Sequence, residues 1–212
     1  MSIVYNASIV TSGLVFLADF ANPRSYPGTG TTVYDLSGNG HTGSLVGSST
    51  VSTGVVSVVP TSGVNFSTVD LSGGVPFTVM GSSRYNGAGP YYGRMINGWN
   101  NNWLMGHWSG SVNSYYSVGW VNSASGGADT TWRIYHATGN PSGNSYQFYI
   151  NDALIISGGG GTSGPNGIAI GGVGATAEYS NGDCGIVAAY NRVLSITEVA
   201  QNYNAFRGRY GI

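Results

Sequence analysis

Short runs in which apolar side chains recur at every second residue are the feature that most restricts the fold of this chain. In one such run, Trp132, Ile134 and His136 alternate with Arg133 and Tyr135. Successive side chains of a strand point to opposite faces, so this period predicts β-strands. The 36 glycines between and within the runs suit the tight turns of a many-stranded fold. Many short strands at regular spacing predict an antiparallel sandwich rather than a βαβ fold.

The predicted strands share this alternation or a short, fully apolar pattern. They span residues 14–20, 44–46, 55–59, 64–66, 77–82, 93–96, 103–108, 115–122, 131–137, 146–150, 154–157, 168–171 and 184–191. All-β sandwiches of about 200 to 250 residues commonly form one domain. We therefore predict a single sandwich over residues 13–212. Residues 1–12 have no compact pattern and are predicted to be an N-terminal arm.

One helix is predicted near the C-terminus. Ser195 followed three residues later by Glu198 is typical of a capping box, in which each residue bonds the backbone of the other. Gly208 is a stop signal, because helices often end at a glycine. The predicted helix spans residues 196–207, and residues 208–212 form a tail.

The chain carries few charges. Only 7% of its residues are charged, against about a quarter in ordinary domains, and the net charge is -1 with no lysine. No basic patch is available to neutralise phosphates, so nucleic acid is not expected as a partner. The 12% of aromatic residues argue against disorder.

The N-terminal residues lack the positive segment of a signal peptide, and the apolar run 14–20 is short and interrupted by Asp19. Neither export by a signal peptide nor a membrane span is expected. The composition nevertheless suits a protein that works outside cells. A virion surface protein released by lysis reconciles the two observations, and so does a bacterial protein secreted by a dedicated machine.

Segments at both ends of the chain resemble a known family. They include the Asp-Leu-Ser-Gly-Asn-Gly motif at 35–40 and the Ala-Tyr-Asn-Arg-Val-Leu-Ser motif at 189–195. The remaining matching segments are residues 13–19, 22–23, 25–28, 149–151, 170–172, 198, 201–205 and 208–211. Together they resemble the concanavalin A-like, laminin-G-like domains of tailed-phage virion proteins, especially cyanobacterial phages. The resemblance implies a two-sheet antiparallel jelly roll and a place among capsid decoration proteins, head fibres or tail adhesins.

Catalytic residues are not expected. Retaining glucanases on related folds need two closely spaced carboxylates, and their Glu-x-Asp-x-x-Glu strand motif is absent here. The chain has two glutamates, Glu178 in a Gly-rich region and Glu198 in the predicted cap. A non-enzymatic protein is therefore predicted, and a glycosidase that depends on Glu178 is the minor alternative.

Asp35 with Asn39 is the candidate metal site, for Ca²⁺, because hard cations accept carboxylate and amide oxygens. An Asx-turn explains the same two residues without any metal. Relatives of this fold hold calcium with loop carboxylates, but this loop offers few of them for six to eight ligands. No other cofactor is expected.

An aromatic segment beginning at Trp99 is the candidate ligand site, with Trp99, Asn101, Asn102 and Trp103 as its residues. Aromatic rings beside amide side chains suit sugars, since a ring packs on a pyranose face and an amide bonds the hydroxyls. The alternative is a sandwich core, because Trp103 and Met105 would share one strand face.

Two functions are therefore predicted. The first is a capsid decoration or cement protein on the virion surface that contacts the major capsid protein or other virion proteins. The resemblance also implies a homo-oligomer with trimer symmetry. The predicted contacts lie in the arm and the tail: Ile3, Val4, Tyr5, Ile9, Val10, Arg209 and Tyr210. The second function is a glycan-binding module of a fibre or tail that adsorbs to the host cell surface.

Overall fold

The computed structural model describes residues 8–87, 89, 92–174 and 177–212. In chain order its strands are β1 (Leu14–Asp19), β2 (Thr32–Val33), β3 (Gly43–Val46), β4 (Thr50–Ser52), β5 (Val55–Val58), β6 (Gly63–Asp70), β7 (Phe77–Tyr85), β8 (Ile96–Gly98), β9 (Trp103–Trp108), β10 (Ser111–Ser117), β11 (Trp120–Asn122), β12 (Arg133–Asn140), β13 (Ser145–Ile150), β14 (Ala153–Gly158), β15 (Asn166–Ile170) and β16 (Gly182–Tyr190). A 3₁₀ turn (Pro141–Gly143) and the helix α1 (Ile196–Tyr210) complete the described elements.

The strands form two antiparallel sheets, and the predicted two-sheet jelly roll with a C-terminal helix is confirmed. Sheet A has the order β14-β13-β12-β7-β16-β5-β4, with β1 also paired to β16. Sheet B has the order β11-β10-β9-β8-β15-β6-β3-β2. Within the described residues, no helix combines the length and apolar character that a membrane crossing requires.

The predicted strands differ from the structure in several details. The predicted strand 93–96 overlaps β8 only at Ile96, since residues 93–95 are not in a strand. The run 115–122 is two strands, β10 and β11, because the chain turns at Val118 and Gly119, where Val118 adopts a φ of 53°. A β-branched residue rarely takes this conformation, so the alternation gave no sign of the turn. The short strands β2 and β4 have too few residues to show a period.

The core between the sheets is largely aromatic. Trp103 packs edge-on against Phe77 and Tyr115, with ring centroids 6.4 and 6.1 Å away. Tyr135 stacks on Phe148 at 5.9 Å with nearly parallel planes. All five side chains are fully buried, so these rings fill the space between the two sheets.

Sheet A is buried on its outer face as well, because α1 covers it. Val199 of the helix belongs to a second apolar cluster with Met80 of β7 and Ala188 of β16. Every residue of β16 is buried. A strand covered on both faces is expected to be apolar throughout, which explains why the sequence of β16 lacks clean alternation.

The capping box at the start of α1 is confirmed, but the predicted end of the helix at residue 207 is wrong. The backbone N of Glu198 donates to Ser195 Oγ, and the Ser195 N donates to Glu198 Oε2. The helix continues through Gly208 to Tyr210. Gly211 ends it with a φ of 69°, the left-handed conformation that a helix stop requires.

The described part of the N-terminal arm, residues 8–12, lies along α1. Val10 N donates to Asn202 Oδ1 at 2.9 Å, and Gln201 Nε2 donates to the Ser8 carbonyl at 2.7 Å. Val10 is buried in the same cluster as the helix. The arm therefore stabilises the sandwich through its own contacts with the helix.

Several residues predicted for partner contacts are engaged within the chain, and their contacts with a partner stay a prediction. Arg209 pairs with Asp19 at 2.6 Å, and the Tyr210 ring packs against Trp132 at 4.7 Å. Val10 is buried, and Ile9 is partly buried against its cluster. The physical reason is that the outer face of sheet A is apolar and takes up both chain segments. Ile3, Val4 and Tyr5 lie outside the described residues.

Candidate functional site

Three partly exposed aromatic rings lie together on the outer face of sheet B. The Trp120 ring centroid is 5.0 Å from that of Trp108 and 5.1 Å from that of Tyr116. They line a cavity of about 440 Å³ whose other walls are Arg94, Asn102, Leu104 and Glu178. We call this cavity the aromatic groove. Its volume lies in the range of about 300 to 1,000 Å³ that is usual for small-molecule sites.

Strand alternation places these rings outward. In β9, Trp103 and Met105 point into the core, so Leu104 points to the outer face. In β10, Tyr115 is a core residue and Tyr116 faces outward, directly opposite Trp120 in the register of β10 and β11. The rings contact one another, which limits their side-chain freedom. A ligand would therefore meet a surface that is already ordered.

Glu178 forms the polar wall of the aromatic groove. Trp108 Nε1 donates to its Oε1 at 2.7 Å, and Arg94 Nε donates to its Oε2. The Glu178 side chain is 39% exposed, whereas that of Arg94 is 5% exposed. The carboxylate therefore faces the solvent, and the guanidinium lies behind it.

The backbone near Gly93 fixes the position of Glu178. Arg94 N donates to the Glu178 carbonyl at 2.9 Å, and Gly93 N donates to the Tyr179 carbonyl at 3.1 Å. A Cβ at position 93 would overlap the Glu178 carbonyl. Glycine is needed there because the two backbone segments approach too closely for any side chain.

Glu178 also lines a second cavity, of about 490 Å³. Its lining residues are Tyr92, Gly93, Ser109, Gly110, Ala177, Glu178 and Tyr179. Glu178 therefore borders both cavities. The two together present aromatic, hydroxyl, amide and carboxylate groups.

The structure places the four predicted ligand residues in different environments. Asn102 is exposed and lines the aromatic groove. Asn101 holds loops together, since its Nδ2 donates to the Gly164 carbonyl at 2.9 Å and its Oδ1 accepts from Asn166 N at 3.0 Å. Trp99 packs beside Gly174.

The prediction of Trp103 as a ligand residue is wrong. Its side chain is 0% exposed in the core, where no external ligand reaches it. Trp108, Tyr116 and Trp120, which the prediction missed, lie on the outer face instead. Alternation places Trp108 on the strand face of Leu104, opposite that of Trp103, but it does not show which of the two faces is outside.

Asp35 and Asn39 do not fit a calcium site. The Asp35 carboxylate already accepts hydrogen bonds from Leu17 N, Ser37 N, Ser37 Oγ and His41 N, at 2.8 to 3.1 Å. Burial raises the pKa of Asp35, but these bonds outweigh it and hold the pKa below its usual value. The residues tie their loop to β1. Among the described residues, no group of three or more His, Cys, Asp and Glu could hold a metal ion.

The other ionisable candidates lie away from the aromatic groove. Asp183 is buried on sheet A, where it accepts from Ser57 Oγ at 2.7 Å and from Arg84 Nε at 2.8 Å. His107 and His136 are fully buried. Among the described residues that line the two cavities, Glu178 is the only carboxylate, and none is a histidine.

Comparison with known proteins gives similarity at the level of structure. No family model and no curated protein matches the sequence. Domain 4 of AbnA, an extracellular GH43 arabinanase of Geobacillus stearothermophilus, was solved in complex with arabinotriose. It matches with a TM-score of 0.66 and 15% identity, over 91% of this chain and 98% of that one.

Two further solved structures match over part of their length. Trypanosoma rangeli sialidase in complex with sialic acid has a TM-score of 0.67 and 12% identity, over 94% of this chain and 34% of that one. The binding domain of botulinum neurotoxin DC in complex with SialylT has a TM-score of 0.61 and 13% identity, over 92% and 52%. The chain therefore spans about a third of the sialidase and about half of the toxin domain. At these identities the likeness shows the fold alone.

Proposed function

We propose that this protein is a glycan-binding module and that the aromatic groove holds the sugar. The observation that carries the proposal is the group of Trp108, Tyr116 and Trp120, ordered by mutual contact and partly exposed beside a carboxylate. An aromatic ring packs on the apolar C–H face of a pyranose, and polar side chains at its edge bond the hydroxyls. Glu178 and Asn102 supply those polar groups.

Two further observations support a binding role. Trp120 is 40% exposed although a tryptophan is costly to leave in water, which is typical of a surface that is covered in the bound state. The structurally similar AbnA domain was solved with arabinotriose and the toxin domain with SialylT. The proposal includes no catalytic step, because Glu178 has no second carboxylate beside it among the described lining residues.

Substitution of Trp120 by alanine is expected to weaken glycan binding at least about tenfold, because stacking and the apolar area buried on the ring together contribute more than about 1.4 kcal/mol. The melting temperature should stay nearly unchanged, because the ring is at the surface and outside the core. Titration calorimetry with a sugar first identified on a glycan array measures the effect.

Tyr34→Ala is the matched control, since Tyr34 is 46% exposed next to β2, at the opposite edge of sheet B. This variant should bind as the wild type does. Equal affinity of Trp120→Ala and wild type would show that the sugar does not use the aromatic groove.

We further propose, from the sequence resemblance, that the module belongs to a tailed-phage virion and serves host adsorption. Host adsorption is supported by the aromatic groove, which we propose holds a sugar. Contacts with other parts of the same chain engage three residues predicted for capsid contact, Val10, Arg209 and Tyr210. Immunogold labelling of phage particles is expected to mark fibres or tails. Label confined to the heads would contradict host adsorption and favour a decoration role.

A further inference from the structure

Glu178 keeps free acceptor capacity toward the solvent. Each of its two oxygens accepts one hydrogen bond, from Trp108 Nε1 and from Arg94 Nε. A carboxylate has about four lone-pair sites, so about two remain. The 39% exposure of the side chain means that a ligand can reach them. Such a carboxylate, held from behind by two donors, is arranged to accept hydrogen bonds from hydroxyl groups.

The charge that faces the ligand is negative. Among the described residues lining either cavity, Arg94 and Glu178 carry the only formal charges. Arg94 is 5% exposed, and its Nη1 is buried and has no hydrogen-bond partner in the described structure. The guanidinium holds Glu178 in place but is covered from the solvent. A ligand carboxylate would therefore meet Glu178 without an accessible cation to balance it.

The place of Glu178 in the walls of both cavities bears on ligand length. One cavity has the aromatic rings Trp108, Tyr116 and Trp120, and the other has Tyr92 and Tyr179. Both are large enough for a small ligand, and both reach the same carboxylate. A chain of two or more sugars can lie across Glu178 with one unit in each cavity.

We propose that this site selects uncharged oligosaccharides over anionic ones and that Glu178 determines this specificity. The proposal rests on the glycan-binding function proposed above. It assigns to Glu178 two effects, acceptance of hydroxyl donors from neutral sugars and repulsion of sugar carboxylates.

Calorimetry with matched probes tests the proposal. The neutral probes are arabinotriose, xylotriose and lactose, and the anionic probes are trigalacturonic acid and sialyllactose, within a wider array of both classes. We expect neutral trisaccharides to bind more tightly than monosaccharides. At low salt we expect them to bind at least about tenfold more tightly than anionic ones. The preference should shrink in about 1 M salt, where charges are screened within about 3 Å.

Glu178→Gln removes the charge and keeps the length of the side chain. It should weaken binding of neutral sugars and bring the ratio of neutral to anionic affinity close to one. Because it leaves Arg94 with a neutral partner, its folding is checked by circular dichroism, and the salt dependence of the wild type tests the same point without a substitution.

The outcomes separate the two proposals. Sugar binding without a preference for neutral probes, or with a preference for anionic ones, overturns the specificity and leaves the glycan-binding function standing. An unchanged ratio in folded Glu178→Gln overturns the role of Glu178. No binding of any probe by the folded wild type overturns both proposals.

Discussion

Acidification from pH 7 to pH 4 is expected to destabilise the protein by several kcal/mol, because two histidines are buried in neutral form. Burial lowers the pKa of both His107 and His136 to about 3, from an ordinary value of 6.5. Below pH 6.5 the unfolded chain takes up protons that the folded chain does not. The contribution of the two histidines to the free energy of unfolding is therefore complete above about pH 6.5. It is lost as the pH falls toward 3, by up to about 1.4 kcal/mol per pH unit for each histidine.

The surroundings of the His107 and His136 rings explain why the pKa of both is lowered. His107 Nδ1 is 3.2 Å from Ser83 Oγ, and its Nε2 has no partner in the described structure. For this histidine burial is the largest influence, nearby Arg133 also lowers the pKa, and Asp129 opposes both. His136 has no partner at either nitrogen among the described residues. It lies on the face of sheet A that α1 covers, opposite Met80 and Tyr149 in the register.

Urea unfolding at a series of pH values between 7 and 5 measures this effect. His136→Leu should remove roughly half of the pH dependence, since one of the two titrating groups is gone. Carboxylates titrate at lower pH than free histidine, so measurements between pH 7 and 5 separate the histidine effect from theirs. Glu198, whose pKa is lowered to about 2 by Arg192 and by its Ser195 contacts, loses its contribution only below about pH 4.5. A free energy of unfolding that stays constant from pH 7 to 5 would refute the prediction.

Trp103→Ala is expected to lower the free energy of unfolding by about 3 to 5 kcal/mol, which is typical for removing a buried tryptophan. The ring is wholly buried between the sheets and contacts Phe77 and Tyr115. Its removal leaves a cavity that two sheets of fixed spacing cannot close. Trp103→Phe keeps an aromatic contact and should cost markedly less.

The expected result for Trp103→Ala is the reverse of that for Trp120→Ala. The first should lose stability in urea while its folded fraction still binds sugar, and the second should lose affinity and keep its stability. A loss of less than about 1 kcal/mol for Trp103→Ala would mean that the core tolerates the cavity. It would also weaken the assignment of the inner face of β9.

The sequence predicts the elements whose signals are local. Alternation predicts most strands. The pair Ser195 and Glu198, three residues apart, predicts the start of α1. The end of α1 was misplaced because Gly208 and Gly211 are both suitable stops, and only the contacts of Arg209 and Tyr210 decide between them.

The candidate site was harder to predict because its parts are distant in sequence. Alternation shows that Trp103 and Trp108 lie on opposite faces, but not which face is inside. The polar wall depends on Glu178 meeting Trp108 and Arg94, which are 70 and 84 residues away. Nothing in the residues around Glu178 indicates those partners, so the sequence predicts only that Glu178 lies in a Gly-rich loop.

The packing of residues 8–12 along α1 has a consequence for how the protein is oriented when it is attached to something else. Ser8 and Ile212 both lie at the helix on the outer face of sheet A, whereas the aromatic groove opens on the outer face of sheet B. A bead, sensor chip or fused domain coupled near either residue would sit behind the sandwich. The groove would then point away from its anchor, and many copies fixed side by side would present their aromatic grooves in one direction.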